Sequence, residues 1–193
     1  MTINISLGSS GAFSQFSLSS AAPAFTSTTD VSAFTSDQIK ALTVSQVSGL
    51  NNTQVTAIAS DALAGLTNKQ MQALSTRSVA ALSTLQVSML TTSQLNALSS
   101  VQISSLTSAQ VNALTTDQLA GLRASGVSSF NTSRLASVST TQIAALSTKQ
   151  IQALTTAQIS RLTAEQIAVM TTAQIAAIET SDVSKLTNEQ IAR

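Results

Sequence analysis

Few residues in this chain could carry chemistry. It contains no His, Cys, Trp or Tyr, and its charged groups are eight Asp or Glu and nine Lys or Arg in 193 residues. Without imidazole or thiol there is no ordinary base near neutral pH, no sulfur nucleophile, no zinc set of the usual nitrogen and sulfur kind, and no disulfide. The carboxylates are spread widely along the chain. The closest acidic pair, Glu179 and Asp182, reads as a variant helix start rather than as an acid–base dyad. Ser and Thr are abundant, but none has a base beside it to activate the hydroxyl. The glycines form neither a GxGxxG string nor a P-loop. The sequence therefore predicts no catalytic residue, no cofactor and no metal ligand. A net charge of +1 and 3% aromatic residues argue against nucleic-acid binding. No apolar run approaches the ~20 residues that span a bilayer, and no basic stretch precedes an apolar one near Met1, so neither a membrane span nor a cleaved secretory signal is expected.

The elements that hold these residues follow one rule. From Phe34, every eighth residue through Leu42, Leu50 and on to Leu186 is large and apolar, 20 times without exception. With that position called a in an octad a to h, position f is also always apolar, from Ile39 to Ile191. Charges avoid both columns, and eight of them fall at d: Asp37, Asp61, Lys69, Arg77, Asp117, Lys149, Glu165 and Glu189. Position d must then face water while a and f face a core. A single continuous helix cannot do this, because its apolar stripe would drift about 80° with each octad. A strand cannot either, since a and f have opposite parity. A β-solenoid would need regular corner residues, and there are only 6 Gly.

Positions b and e decide the matter. Position b is Ser, Thr or Asn in 17 of 20 octads, and e is Gln in 15 of 20. That is a capping box, in which the b side chain accepts from the N3 amide and the e side chain reaches back to the cap amide. The preceding a and following f are then the two halves of a hydrophobic staple, pairing Leu154 with Ile159 and Leu162 with Ile167. Position h is mostly Ala, Gly or Ser, which suits a sharp corner or a close helix contact. The predicted fold is all-α: a solenoid of about 20 short helices, one per octad, over residues 34–193, with a non-repeat segment over 1–33. Helices this short must stack to exist at all.

Two columns suggest other readings. The Gln column has the look of a binding ladder, but capping accounts for its spacing. Adjacent Thr at b and c suggest an ice-binding or glycan-accepting array, although b is committed to the cap. The box is missing at Ala59 to Ala62, Arg123 to Gly126 and Asn131 to Arg134. Arg123, Gly126, Phe130 and Arg134 thus mark a candidate irregular site, a kink or a partner contact.

Strings such as Leu154-Thr-Thr-Ala-Gln-Ile and Leu162-Thr-Ala-Glu-Gln-Ile resemble the short-helix arrays of flagellar motor switch proteins and magnesium-transporter cytoplasmic domains in their helix-start chemistry. Those families have longer, more charged units. The chain more closely resembles bacterial repeat proteins built of tandem Leu-Thr-x-x-Gln-Ile-x-x units, often exported, which implies a surface or secreted role.

Residues 1–33 hold only a fading echo of the octad at Thr26 to Val31. They are Ser-rich, without charge before Asp30, and contain Phe13, Phe16, Phe25 and the sole proline, Pro23. They resemble the uncleaved leader of type III secreted bacterial proteins. A flexible tail or end cap is a second reading. A third is a strand, with Ile3, Ile5 and Leu7 alternating, donated to another subunit. The expected function is a non-enzymatic structural protein, outside the cell or on its surface, that self-associates head to tail. The array stops in phase with full apolar positions at Leu186 and Ile191, and head-to-tail contacts propagate into filaments. The alternative is a secreted effector or ruler that offers a groove to a protein partner.

Overall fold

The computed structural model of the chain describes residue 26 and residues 28–192. The contacts expected at Ile3, Ile5, Leu7, Phe13, Phe16 and Phe25 lie outside the described residues. Within them are twenty helices of four to six residues and no strand. The first seven are α1 (Ser36–Ala41), α2 (Val44–Ser48), α3 (Asn52–Ala57), α4 (Ser60–Leu63), α5 (Asn68–Ala73), α6 (Thr76–Ala81) and α7 (Thr84–Met89). There follow α8 (Thr92–Ala97), α9 (Ser100–Ser105), α10 (Ser108–Ala113), α11 (Thr116–Ala120), α12 (Ala124–Ser128), α13 (Thr132–Ser137) and α14 (Thr140–Ala144). The last are α15 (Thr148–Gln152), α16 (Thr156–Ile159), α17 (Ala164–Ala168), α18 (Thr172–Ala176), α19 (Thr180–Val183) and α20 (Asn188–Ile191).

Each helix starts where b meets e. At α10, Thr107 Oγ1 accepts from the Gln110 amide at 3.2 Å and Gln110 Oε1 accepts from the Thr107 amide at 2.7 Å. Fifteen helices carry both bonds. Ser75 and Asn131 cap α6 and α13 without the return bond. Ala59, Arg123 and Glu179 supply no side-chain cap. Each helix ends at the next a or within two residues before it. The Leu106 amide, for example, donates to Ile103 O at 3.2 Å, three residues back, which tightens the last turn. Leu106 (ψ 136°) and the following Thr107 (ψ 162°) are both extended, so two residues turn the chain before the next helix starts.

Helices stack three apart, α1 on α4, α2 on α5 and so on to α17 on α20, so about three make each turn of the superhelix. The a and f side chains fill its interior as one continuous cluster that includes Leu154, Ile159, Leu162 and Ile167. Every f residue from Ile39 to Ile159 is at most 2% exposed, and the eight charged d residues are exposed. The register also reaches back one octad: Val31, at its f position, is buried, and Gln54 Nε2 donates to Thr26 O and Thr29 O.

The small h residues answer to stacking rather than to backbone freedom. Gly49 and Gly121 have φ near −85° and −82°, open to any residue. A Cβ on Gly65, however, would lie 2.1 Å from Ser36 O, a backbone atom on α1 in the turn before. Gly65→Ala is expected to cost about 1–3 kcal/mol, as other overpacked positions do. Gly49→Ala, whose Cβ would meet only its own helix carbonyls at 3.5 Å, should be neutral or better. Urea titration of the two variants checks the contrast.

Candidate functional site

The columns that looked available for binding are largely occupied by the fold. Thirteen of the box glutamines are buried, between 1% and 6% exposed. Their Oε1 serves the cap, and their Nε2 points to the turn before. Gln110 Nε2 donates to Val79 O at 3.0 Å, Ala80 O at 3.3 Å and Leu82 O at 2.7 Å. These carbonyls end α6, where a helix has no internal donors left. The same bond, 28 residues back to a carbonyl at position a, recurs at 2.6–2.8 Å for twelve glutamines from Gln70 to Gln190. The amide thus joins the start of one helix to the end of another one turn earlier. Among the described residues no buried side-chain nitrogen or oxygen lacks a partner.

Capping alone did not reveal this inter-turn role, yet a signal for it was present. Glu serves a capping box as well as Gln does, but e is Gln 15 times and never Glu. A carboxylate could take the cap amide but would have nothing to donate to the carbonyls.

Where e is not Gln, the ladder changes. Ser78 Oγ reaches the expected carbonyl, Leu50 O, only at 3.4 Å. Asp182 is not the cap its position suggested. Glu179 and Asp182 form no capping bond; instead Asp182, 5% exposed, accepts from Thr156 Oγ1 at 2.6 Å, tying α19 to α16. Asp182→Gln puts a donor where Leu154 O waits, and a gain of about 1 kcal/mol is expected. Thermal denaturation should show it as a rise of about 2–4 °C.

The irregular stretch is resolved residue by residue. Gly126 lies inside α12, and Phe130 is buried at position a, 2% exposed, so its ring belongs to the core. The Arg123 amide donates to Asn96 Oδ1 at 2.8 Å, and its guanidinium donates to Asn96 O. Asn96 Nδ2 in turn donates to Gly121 O at 2.8 Å. Asn96, one turn earlier, takes the amide that the absent e glutamine would have taken. Arg134 is half-buried, and its backbone amide donates to Asn131 Oδ1. Leu186 is half-buried and Ile191 is 62% exposed.

Nothing among the described residues gathers three His, Cys, Asp or Glu side chains into a metal-binding group. The Ser32 hydroxyl, and then the Ser32 amide, hold the Asp30 carboxyl below the usual carboxylate range. A cleft of about 300 Å³ lies between the α16–α17 corner and α20, and its two carboxylates, Glu165 and Glu189, are exposed to solvent. No helix of the described residues is long and apolar enough to cross a membrane.

No curated protein matches the chain. The ALTTAQ repeat family matches it over residues 63–100, 92–124, 127–164 and 151–180. Those six letters occur unbroken at Ala153–Gln158, where they run from h through the staple residue, the cap and the ladder glutamine. The only break within the matched span, at Ser125 and Gly126, falls in α12, which lacks both the cap and the glutamine. The matches together cover more than half the chain, and the protein belongs to the ALTTAQ repeat family.

Proposed function

We propose that this helical repeat protein is a non-enzymatic structural element, exported to the cell surface or beyond, whose copies associate head to tail. The observation that carries the reading is the face made by α18, α19 and α20. There the f residues Ile175, Val183 and Ile191 are 40%, 42% and 62% exposed, whereas the same column is sealed through the body of the array. The surface is the one that each inner turn presents to its successor, so a further turn of the same repeat fits it. Contacts of this heterologous kind propagate unless the geometry closes. The Ser-rich segment that resembles a type III leader supports export.

The partner-scaffold reading has its own observation. Leu85 (62% exposed), Val101 (66%) and Met89 (48%) sit on the flank of the array, the first two at d, which is elsewhere polar or Ala, and Met89 at h, which is mostly small.

Sedimentation and electron microscopy of the full chain separate the two. Head-to-tail association gives concentration-dependent polymers that Ile191→Asp abolishes while the melting temperature holds. Monodisperse monomers at high concentration, unchanged by deleting residues 1–33, would remove the self-association reading. Loss of binding to a captured partner in Leu85→Asp or Val101→Asp would favour the scaffold.

A further inference from the structure

We infer that the array contains a built-in hinge, at which α12 and α13 part from α9 and α10 before any other inner turn opens. The ladder is interrupted there twice in succession. By the 28-residue step, Gly126 and Arg134 stand opposite Leu98 O and Leu106 O. Gly126 has no side chain to donate. The Arg134 guanidinium makes no hydrogen bond among the described residues. On either side the step is complete: Gln118 reaches Leu90 O at 2.6 Å and Gln142 reaches Leu114 O at 2.6 Å. The other interruptions are single: Ser78 and Asp182 each keep a side-chain bond across the turn, and Ala62, which has no donor, stands alone between Gln54 and Gln70.

Three further features weaken the same place. The α12 helix has no side-chain cap, and α13 has a cap without the return bond. Glycine inside α12 raises the entropic cost of holding the helix. Ser128 and Ser129 turn their hydroxyls back onto Ser125 O, at 3.3 and 2.6 Å, and make no bond to the turn before.

What closes the seam is a latch at its outer edge. Asn96, on α8 in the turn before, ties down the α11–α12 corner that leads into the seam, accepting from the Arg123 amide and donating to Gly121 O. Inside, Val127, Phe130 and Leu135 remain in the core, so the seam is weakened rather than broken. Repeat arrays derive their stability from neighbour contacts, so a local loss of such contacts sets where the array opens. The two longer stretches of ladder would then move as units about α12–α13 when the rod is bent or stretched.

Hydrogen–deuterium exchange on the full chain tests this. Amides of residues 123–137 should exchange at least tenfold faster than those of residues 148–167, which lie where consecutive boxes are complete. Gly126→Gln with Arg134→Gln should erase that difference. Asn96→Ala, a surface change that leaves the core intact, should speed residues 123–137 a further several-fold and leave 148–167 unchanged. Equal exchange in the two segments of the wild type, or an Asn96→Ala effect spread evenly over the array, would overturn the hinge.

Discussion

Gln110→Glu is expected to lower stability by about 3 kcal/mol or more at neutral pH, although it keeps the capping box formally intact. The carboxylate can still accept from the Thr107 amide, the bond at 2.7 Å that starts α10. Its other oxygen would face Val79 O, Ala80 O and Leu82 O, three acceptors that Gln110 Nε2 satisfies in the wild type. The site is 2% exposed, so water cannot repair the mismatch. Losing the cap alone, as in Thr107→Ala, should cost about 1 kcal/mol. The excess measures the inter-turn bond.

The pH dependence gives a second readout of the same variant. Burial beside carbonyls disfavours the charged form, so the new glutamate has a folded pKa above its unfolded value. Stability is then highest below the unfolded value, near 4.3, and is lost as pH rises through the folded one. The wild-type glutamine has no such step. Urea titrations of both proteins between acid and neutral pH check it. A Gln110→Glu protein that melts with the wild type at pH 7 would leave capping as the only task of the glutamine column.

This contrast also shows what could be read from the residues beforehand. The a and f columns, the b–e capping box and one helix per octad were legible because each is a bond or contact within eight or nine residues. Thr107 and Gln110 are three apart. Partners 25 to 31 residues away were not legible in the same manner, because the number of octads in a turn is set by packing angles that no single unit encodes. Asp182 shows the consequence. Read locally, it was a variant cap beside Glu179; in the fold it takes the Thr156 hydroxyl from the preceding turn. Phe130 is a second instance: a position flagged for its irregular neighbours keeps its column's place in the core. For h, the sequence left corner and close contact both open, and the nearness of Ser36 O to Gly65 decides for contact.

Position in the column therefore says which residues are apolar, and the stacked neighbour says which of them matter. Ile143 and Ile191 occupy the same f position and differ in burial, 0% against 62% exposed. Ile143 in α14 has α11 and α17 stacked on its helix, whereas α20 has only α17. Ile143→Ala empties a sealed site and should cost about 2–5 kcal/mol, the range for large-to-small changes in a packed core. Ile191→Ala removes side-chain surface that is already largely in water and should cost less than about 0.5 kcal/mol. The effect of the inner change should also spread. A helix of five residues has no stability of its own, so loosening α14 withdraws support from α11 and α17, the two helices that rest on it. Denaturant titrations followed by helical circular dichroism should give a large loss for the first variant and almost none for the second. Equal losses would mean that each short helix is held by its own octad rather than by the turns above and below it.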